Sequence, residues 1–275
     1  MIGKGKADRT RHKDHQNTML AIISPAKKLK FETRDPALVA SQPVFPKETN
    51  QLIAVARKLT RADLRQMMKI SDNLADLNYQ RFQTFSKTPT ENETKQAVMA
   101  FAGDTYTGLE ADTLSKKDLA FAQNNLLILS GLYGLLKPHD LIQPYRLEMG
   151  RKLKTKRGET IYAFWGDRIA EQLDEQLKGH KHPIIINLAS NEYFKAAKTK
   201  ALKARVINMV FKEQKDGEHK IIGLFAKRAR GAMARYMITN RIETPEALKK
   251  FSEDGYKYRP AMSDDDHWVF TRKQP

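Results

Sequence analysis

Apolar residues fall into two patterns along this chain. Short unbroken runs at 19–23 (MLAII), 126–129 (LLIL) and 184–188 (IIINL) read as buried strands. Between them, Leu52, Val55, Leu59, Leu64, Met67, Met68, Leu74 and Leu77 recur near helical spacing across 48–85. Thr60 and Ser71 interrupt that stretch as helix caps, which predicts helices starting at 61 and 72. Further helices are expected over 93–101, 115–124 and 160–178, the last ending at Gly179. Strands over 204–212 and 219–226 flank Asp216-Gly217, a hairpin turn signal. A helix over 228–241, a short helix at Thr244-Pro245 and a strand pair, 256–260 with 267–271, complete the pattern.

These elements predict an α/β protein, mixed α+β in detail, with a central sheet and flanking helices in a single domain over 19–275. Residues 1–18 carry five basic and two acidic side chains and no apolar run. They read as a disordered basic leader, and their place in the native protein stays open because Met19 could itself be a start. A proline-punctuated loop is expected over 33–46.

Composition narrows the chemistry. The chain has 275 residues and no cysteine, which excludes disulfides, a thiol nucleophile and Cys-ligated zinc or iron–sulfur clusters. No apolar run approaches the ~20 residues that span a bilayer, and the start lacks a secretory h-region, so a cytoplasmic protein is expected. The seven histidines are scattered, no HExxH or GxSxG occurs, and Asp264, Asp265 and Asp266 read as a solvated turn. No metal or cofactor is expected.

Charge changes the picture most. Lys plus Arg number 49 against 32 Asp plus Glu, a net charge of +17. A polyanionic partner and a merely solubilising surface both fit that total. The distribution is uneven: 195–235 holds 12 basic and 3 acidic residues, whereas 243–266 holds 4 basic and 7 acidic. In FAKRARGAMARYM (225–237), a helix starting at Arg228 would put Lys227, Arg228 and Arg230 at its first turn. Cations there oppose the helix dipole by about 0.3–1 kcal/mol each. Gly231 adds roughly 1 kcal/mol of helix cost. A phosphate at that helix start would offset both. The residues expected to face phosphates are Lys27, Arg146, Arg151, Lys195, Lys198, Lys227, Arg228, Arg230 and Arg235. The expected partner is DNA, as duplex or repair intermediate, held mainly by its backbone. Neither a membrane nor an obligate protein partner is expected.

A second set of residues is polar. Three strands end on serine, at Ser24, Ser130 and Ser190. Strand carboxyl ends are where open α/β sheets bind ligands. Ser24 with Pro25 is expected to cap a following helix. FAGDTYTGL (101–109) and LSGLYGLLKP (129–138) add Asp104, Tyr106 and Tyr133 on glycine-containing loops. QPYRLEMG (143–150) adds Arg146 and Glu148, and NLASNEYFK (187–195) adds Asn187, Glu192, Tyr193 and Lys195. The candidates for one shared pocket are Asp104, Tyr106, Ser130, Tyr133, Asn187, Ser190 and Glu192. LRQMMKISDNLADLNYQRF (64–82) has the spacing of an αα-hairpin, with Ser71-Asp72-Asn73 where a helix-hairpin-helix carries glycine.

ISPAKKL (23–29), FAGDTYTGL, LSGLYGLLKPHDLIQPYRLEMG (129–150), INLASNEYFK (186–195) and FAKRARGAMARYMI (225–238) together resemble the YaaA peroxide-stress protein family. The resemblance runs from Met19 to about Phe270. It implies a bacterial, cytoplasmic, DNA-binding protein of the hydrogen peroxide response, with a positively charged cleft and a helix-hairpin-helix, here at 61–82. It also implies DNA protection linked to limiting free intracellular iron. It supplies no catalytic residues. Two function classes therefore stand: a non-enzymatic DNA-binding protein, and an enzyme acting on a nucleotide, base or damaged DNA.

Overall fold

A computed structural model describes residues 19–32 and 39–275. The leader 1–18 and residues 33–38 of the expected loop lie outside the described residues.

The main sheet holds β1 (Leu20–Ile23), β2 (Leu126–Ser130), β3 (Gly134–Leu136), β4 (Ile184–Leu188), β5 (Arg205–Lys215), β6 (Glu218–Lys220), β7 (Lys257–Tyr258) and β8 (His267–Lys273). Their order is β7-β8-β5-β4-β1-β2-β3, with β6 paired to β5. The run β8-β5-β4-β1-β2 is parallel throughout. β3, β6 and β7 join it antiparallel. Every residue of β1 and β2 is buried, as in parallel strands covered on both faces. From β1 the chain moves to β2 on one side and returns to β4 on the other. β1 is therefore a switch point, and the carboxyl ends of β4, β1 and β2 are neighbours.

Side-chain caps set the helix starts. α1 (Pro46–Ala56) opens on proline. α2 (Arg61–Met68) starts at a Thr60–Asp63 capping box, and Ser71 caps α3 (Asp72–Thr84). Lys69 turns the chain between them in the left-handed region (φ 53), giving an αα-hairpin. Leu74 and Leu77 of α3 are exposed, while Ala75, Asn78 and Phe82 face inward. The apolar spacing thus marked the helix without marking its buried face.

Three expectations need correction. Residues 93–101 form only the helical turn Ala97–Ala100 between two short ladders. The Ala97 and Val98 N–H groups donate to the Asp140 and Pro138 carbonyls, so a neighbouring loop takes the donors that a helix would use. The stretch 160–178 is two helices, α6 (Ile161–Trp165) and α7 (Arg168–Gln176), broken at Gly166 (φ 53). Residues 223–226 are the first turn of a helix, Gly223–Thr239, rather than the end of a strand. The other expected hairpin, cap and strand pair at 115–125, 205–220 and 257–273 are present.

α5 (Lys116–Asn125) precedes α6, and two further helices are α4 (Asp104–Leu109) and α8 (Gly223–Thr239). They cross with backbones in contact. A Cβ on Gly231 would sit 1.8 Å from the Thr105 carbonyl oxygen, and one on Gly108 would sit 2.1 Å from that of Arg228. Gly231 is there for close packing. No helix among the described residues is long and apolar enough to cross a membrane.

Candidate functional site at the strand ends

Ser24, at the end of β1, does not cap a helix. The chain continues instead into Lys28–Leu29, which pairs with Phe101–Ala102. Its Oγ accepts the Ser190 N–H at 2.9 Å and donates to Ser190 Oγ at 3.3 Å. Two neighbouring strands are thereby tied at their carboxyl ends. The Tyr106 hydroxyl donates to the Ser24 carbonyl at 3.2 Å. Ser130, at the end of β2, is buried against the Tyr145 hydroxyl at 2.6 Å and accepts the Tyr133 N–H at 2.9 Å. Tyr193 follows β4, and its hydroxyl faces the Met149 N–H. Burial raises Tyr106, Tyr145 and Tyr193 above the ordinary tyrosine value, so all three stay neutral.

Beside them lies Glu148, whose side chain is 3% exposed. Its Oε1 meets Arg146 Nη2 and Arg151 Nη2 at 3.1 Å each and Lys27 Nζ at 3.5 Å. Among the described residues its Oε2 has no hydrogen-bond partner, and the buried Nε atoms of Arg146 and Arg151 have none. Burial alone would raise the Glu148 carboxyl. The Arg151 hydrogen bond and the charges of Arg146 and Arg151 outweigh it and hold the group below its ordinary value. Arg151 also donates to the Met67 carbonyl, which joins the αα-hairpin to this site. From α3, Arg81 donates to Asn78 Oδ1 at 3.3 Å and forms no ion pair. Burial and the like charge of Arg146 lower its value.

Four of the seven pocket candidates converge here. Tyr106, Ser130 and Ser190 line the strand ends. Glu192 accepts the Gly150 N–H at 3.0 Å, two residues from Glu148. The other three serve the fold. The Tyr133 hydroxyl accepts the Gln143 N–H, Asn187 bridges Ala189 and Asn208, and Asp104 faces Lys227 at 3.9 Å.

The basic candidates also divide. Lys27, Arg146 and Arg151 meet at Glu148. Lys195, Lys198 and Arg228 are exposed and form no ion pair among the described residues, although Lys195 lies 5.1 Å over the Tyr162 ring. Lys227 and Arg228 lie beyond the first turn of α8, so the expected dipole cost does not arise. Arg230 also lies beyond that turn; it is partly buried, and its Nε is unpartnered. Arg235 donates to the Leu109 and Glu110 carbonyls at 3.1 and 2.9 Å and closes the end of α4. Sequence reasoning missed Tyr145 and Arg81. Tyr145 lay in the same QPYRLEMG segment as Glu148. Arg81 carried no local signal, because the hairpin brings it in.

The sequence model of the family described as Peroxide stress protein YaaA matches residues 19–262. A UPF0246 protein of Caulobacter vibrioides is 51% identical over 257 residues, covering 94% of this chain and 100% of its own length. One from Acaryochloris marina is 50% identical over 254 residues, 92% of this chain and 100% of its own. One from Dechloromonas aromatica is 48% identical over 256 residues, 93% of this chain and 100% of its own.

Proposed function

We propose that this chain, which belongs to the YaaA peroxide stress protein family, binds DNA through its phosphate backbone and protects it during peroxide stress. The observation that carries the reading is that Lys195, Lys198 and Arg228 are exposed cations with no ion pair among the described residues, in a chain of net charge +17. A cation with no carboxylate partner is free to replace the counterions of a phosphate. The αα-hairpin 61–84 presents Arg61 and Arg65, but these are held by Asp76 and Asp72 at 2.5 and 3.4 Å. In this reading the link to free iron is indirect.

The test is duplex binding across a salt series. Each phosphate contact contributes about 0.9 to the slope of log K against log salt. Replacing Lys195, Lys198 and Arg228 together by Ala should flatten that slope by between two and three contacts' worth. An unchanged slope removes these residues from the interface.

A second reading, an enzyme acting on a nucleotide, base or damaged DNA, is favoured by the convergence of Tyr106, Tyr145, Tyr193 and Glu148. Three neutral phenols beside a buried carboxylate are suited to hydrogen-bonding and proton transfer. Incubation with nucleotides and peroxide-damaged DNA, followed by a search for released product, separates the two readings.

A further inference from the structure

At the strand ends, Lys27, Arg146 and Arg151 meet the one carboxylate of Glu148, and Arg81 lies close enough to Arg146 to feel its like charge. Arg146 and Arg151 are 13% and 21% exposed, so their charges are only partly screened by water. Like charges gathered away from bulk solvent repel one another. Nothing in the local packing calls for Arg81, whose side chain reaches Asn78 alone among hydrogen-bond partners. The Nε donors of Arg146 and Arg151 and the Oε2 acceptor of Glu148 are left over. The group sits beside the switch point of the sheet, where parallel α/β sheets take their ligands.

We propose that this side-chain cluster binds the terminal phosphate of a nucleotide. Lys27, Arg81, Arg146 and Arg151 meet the phosphate oxygens, and Glu148 Oε2 accepts from an N–H or O–H of the nucleoside. The excess positive charge suits a phosphomonoester dianion better than a diester monoanion. The charge argument stands by itself; the choice of a nucleotide over other phosphomonoesters rests on the DNA-binding reading. A free nucleotide and a phosphorylated DNA end carry the same group.

The test uses the full chain and isothermal titration. The ligands are deoxyadenosine 5′-monophosphate, deoxyadenosine, inorganic phosphate, and one short single strand with either a 5′-phosphate or a 5′-hydroxyl. Each phosphorylated ligand should bind at least about tenfold tighter than its hydroxyl counterpart, the value of one charge-assisted hydrogen bond or more. Tighter binding of the strand assigns the site to DNA ends, and equal or tighter binding of the mononucleotide assigns it to free nucleotides. Arg81→Gln should lose the phosphate preference while its Tm without ligand stays equal or rises, because a repulsion is removed. Lys27→Gln, at a side chain 60% exposed, should weaken the preference in a protein that folds normally. Equal binding of phosphate and hydroxyl forms overturns the proposal, as does a preference that survives both variants. Inorganic phosphate that matches the mononucleotide overturns the contact to Glu148. The triple variant at Lys195, Lys198 and Arg228 should keep the preference. If duplex binding fails while the preference persists, the DNA-binding reading falls alone.

Discussion

Two buried glutamates in this protein meet arginine, and they are finished differently. Glu213 on β5 is 2% exposed. Its Oε2 receives Arg272 Nε at 2.8 Å and its Oε1 receives the Tyr256 hydroxyl. Arg272 lies against the rings of Tyr256 and Phe225, with Asp254 at 3.7 Å as a second carboxylate. Here no cation is in excess, and both oxygens of Glu213 are occupied. Glu148 is as deeply buried, yet three cations crowd one of its oxygens, the other is bare, and Arg81 adds a charge without an ion pair. A saturated pair belongs to the core. An unsaturated one, placed where the sheet changes direction, has the composition of a binding site.

The largest expected effect tests the first half of that contrast. Glu213→Gln leaves Arg272 buried without its main partner and should cost about 3–5 kcal/mol in urea unfolding. Exchanging chloride for phosphate buffer should return no more than the general salting effect. Glu148→Gln should cost somewhat less, because its cations are partly exposed, and phosphate should restore a clear fraction beyond the Glu213→Gln control. Equal responses of the two variants to phosphate would erase the distinction.

A smaller effect is the pH dependence. The folded value of Glu148 lies below its ordinary 4.5. Its contribution to stability is therefore complete above about that value and is lost as pH falls through the lower folded value. The stability gap between the parent and Glu148→Gln should stay constant from neutral pH down to that range and shrink below it. A gap that shrinks on raising the pH from 5 to 8 would contradict the assignment of Glu148 as a depressed carboxylate.

Much of the scaffold was legible because local chemistry fixes it. The runs at β1, β2 and β4 are unbroken apolar stretches, and Thr60, Ser71 and Ser115 cap helices with their own side chains. Two of the strand-end serines, Ser24 and Ser190, lie together at the carboxyl ends of β1 and β4. What failed depended on distant partners. Ser24-Pro25 carries a helix-start signature, but Ser190 takes the serine and a cross-strand ladder takes the residues after it. The start of α8 was placed late because Ile221 to Phe225 are apolar enough to read as strand. That shift removed the argument for an anion at its first turn. The charge imbalance at Glu148 was not legible because it adds Lys27 and Arg81 from distant places in the chain to Arg146 and Arg151 of its own segment.

The glycine crossing of α4 and α8 has a mechanical side. Gly108 and Gly231 bring the two backbones into direct contact, with no side chain between them to act as a cushion. α8 carries Arg228 at the surface, and α4 carries Tyr106, whose hydroxyl rests on Ser24. A shift of α8 therefore meets the backbone of α4 directly, and through Tyr106 α4 bears on the carboxyl end of β1.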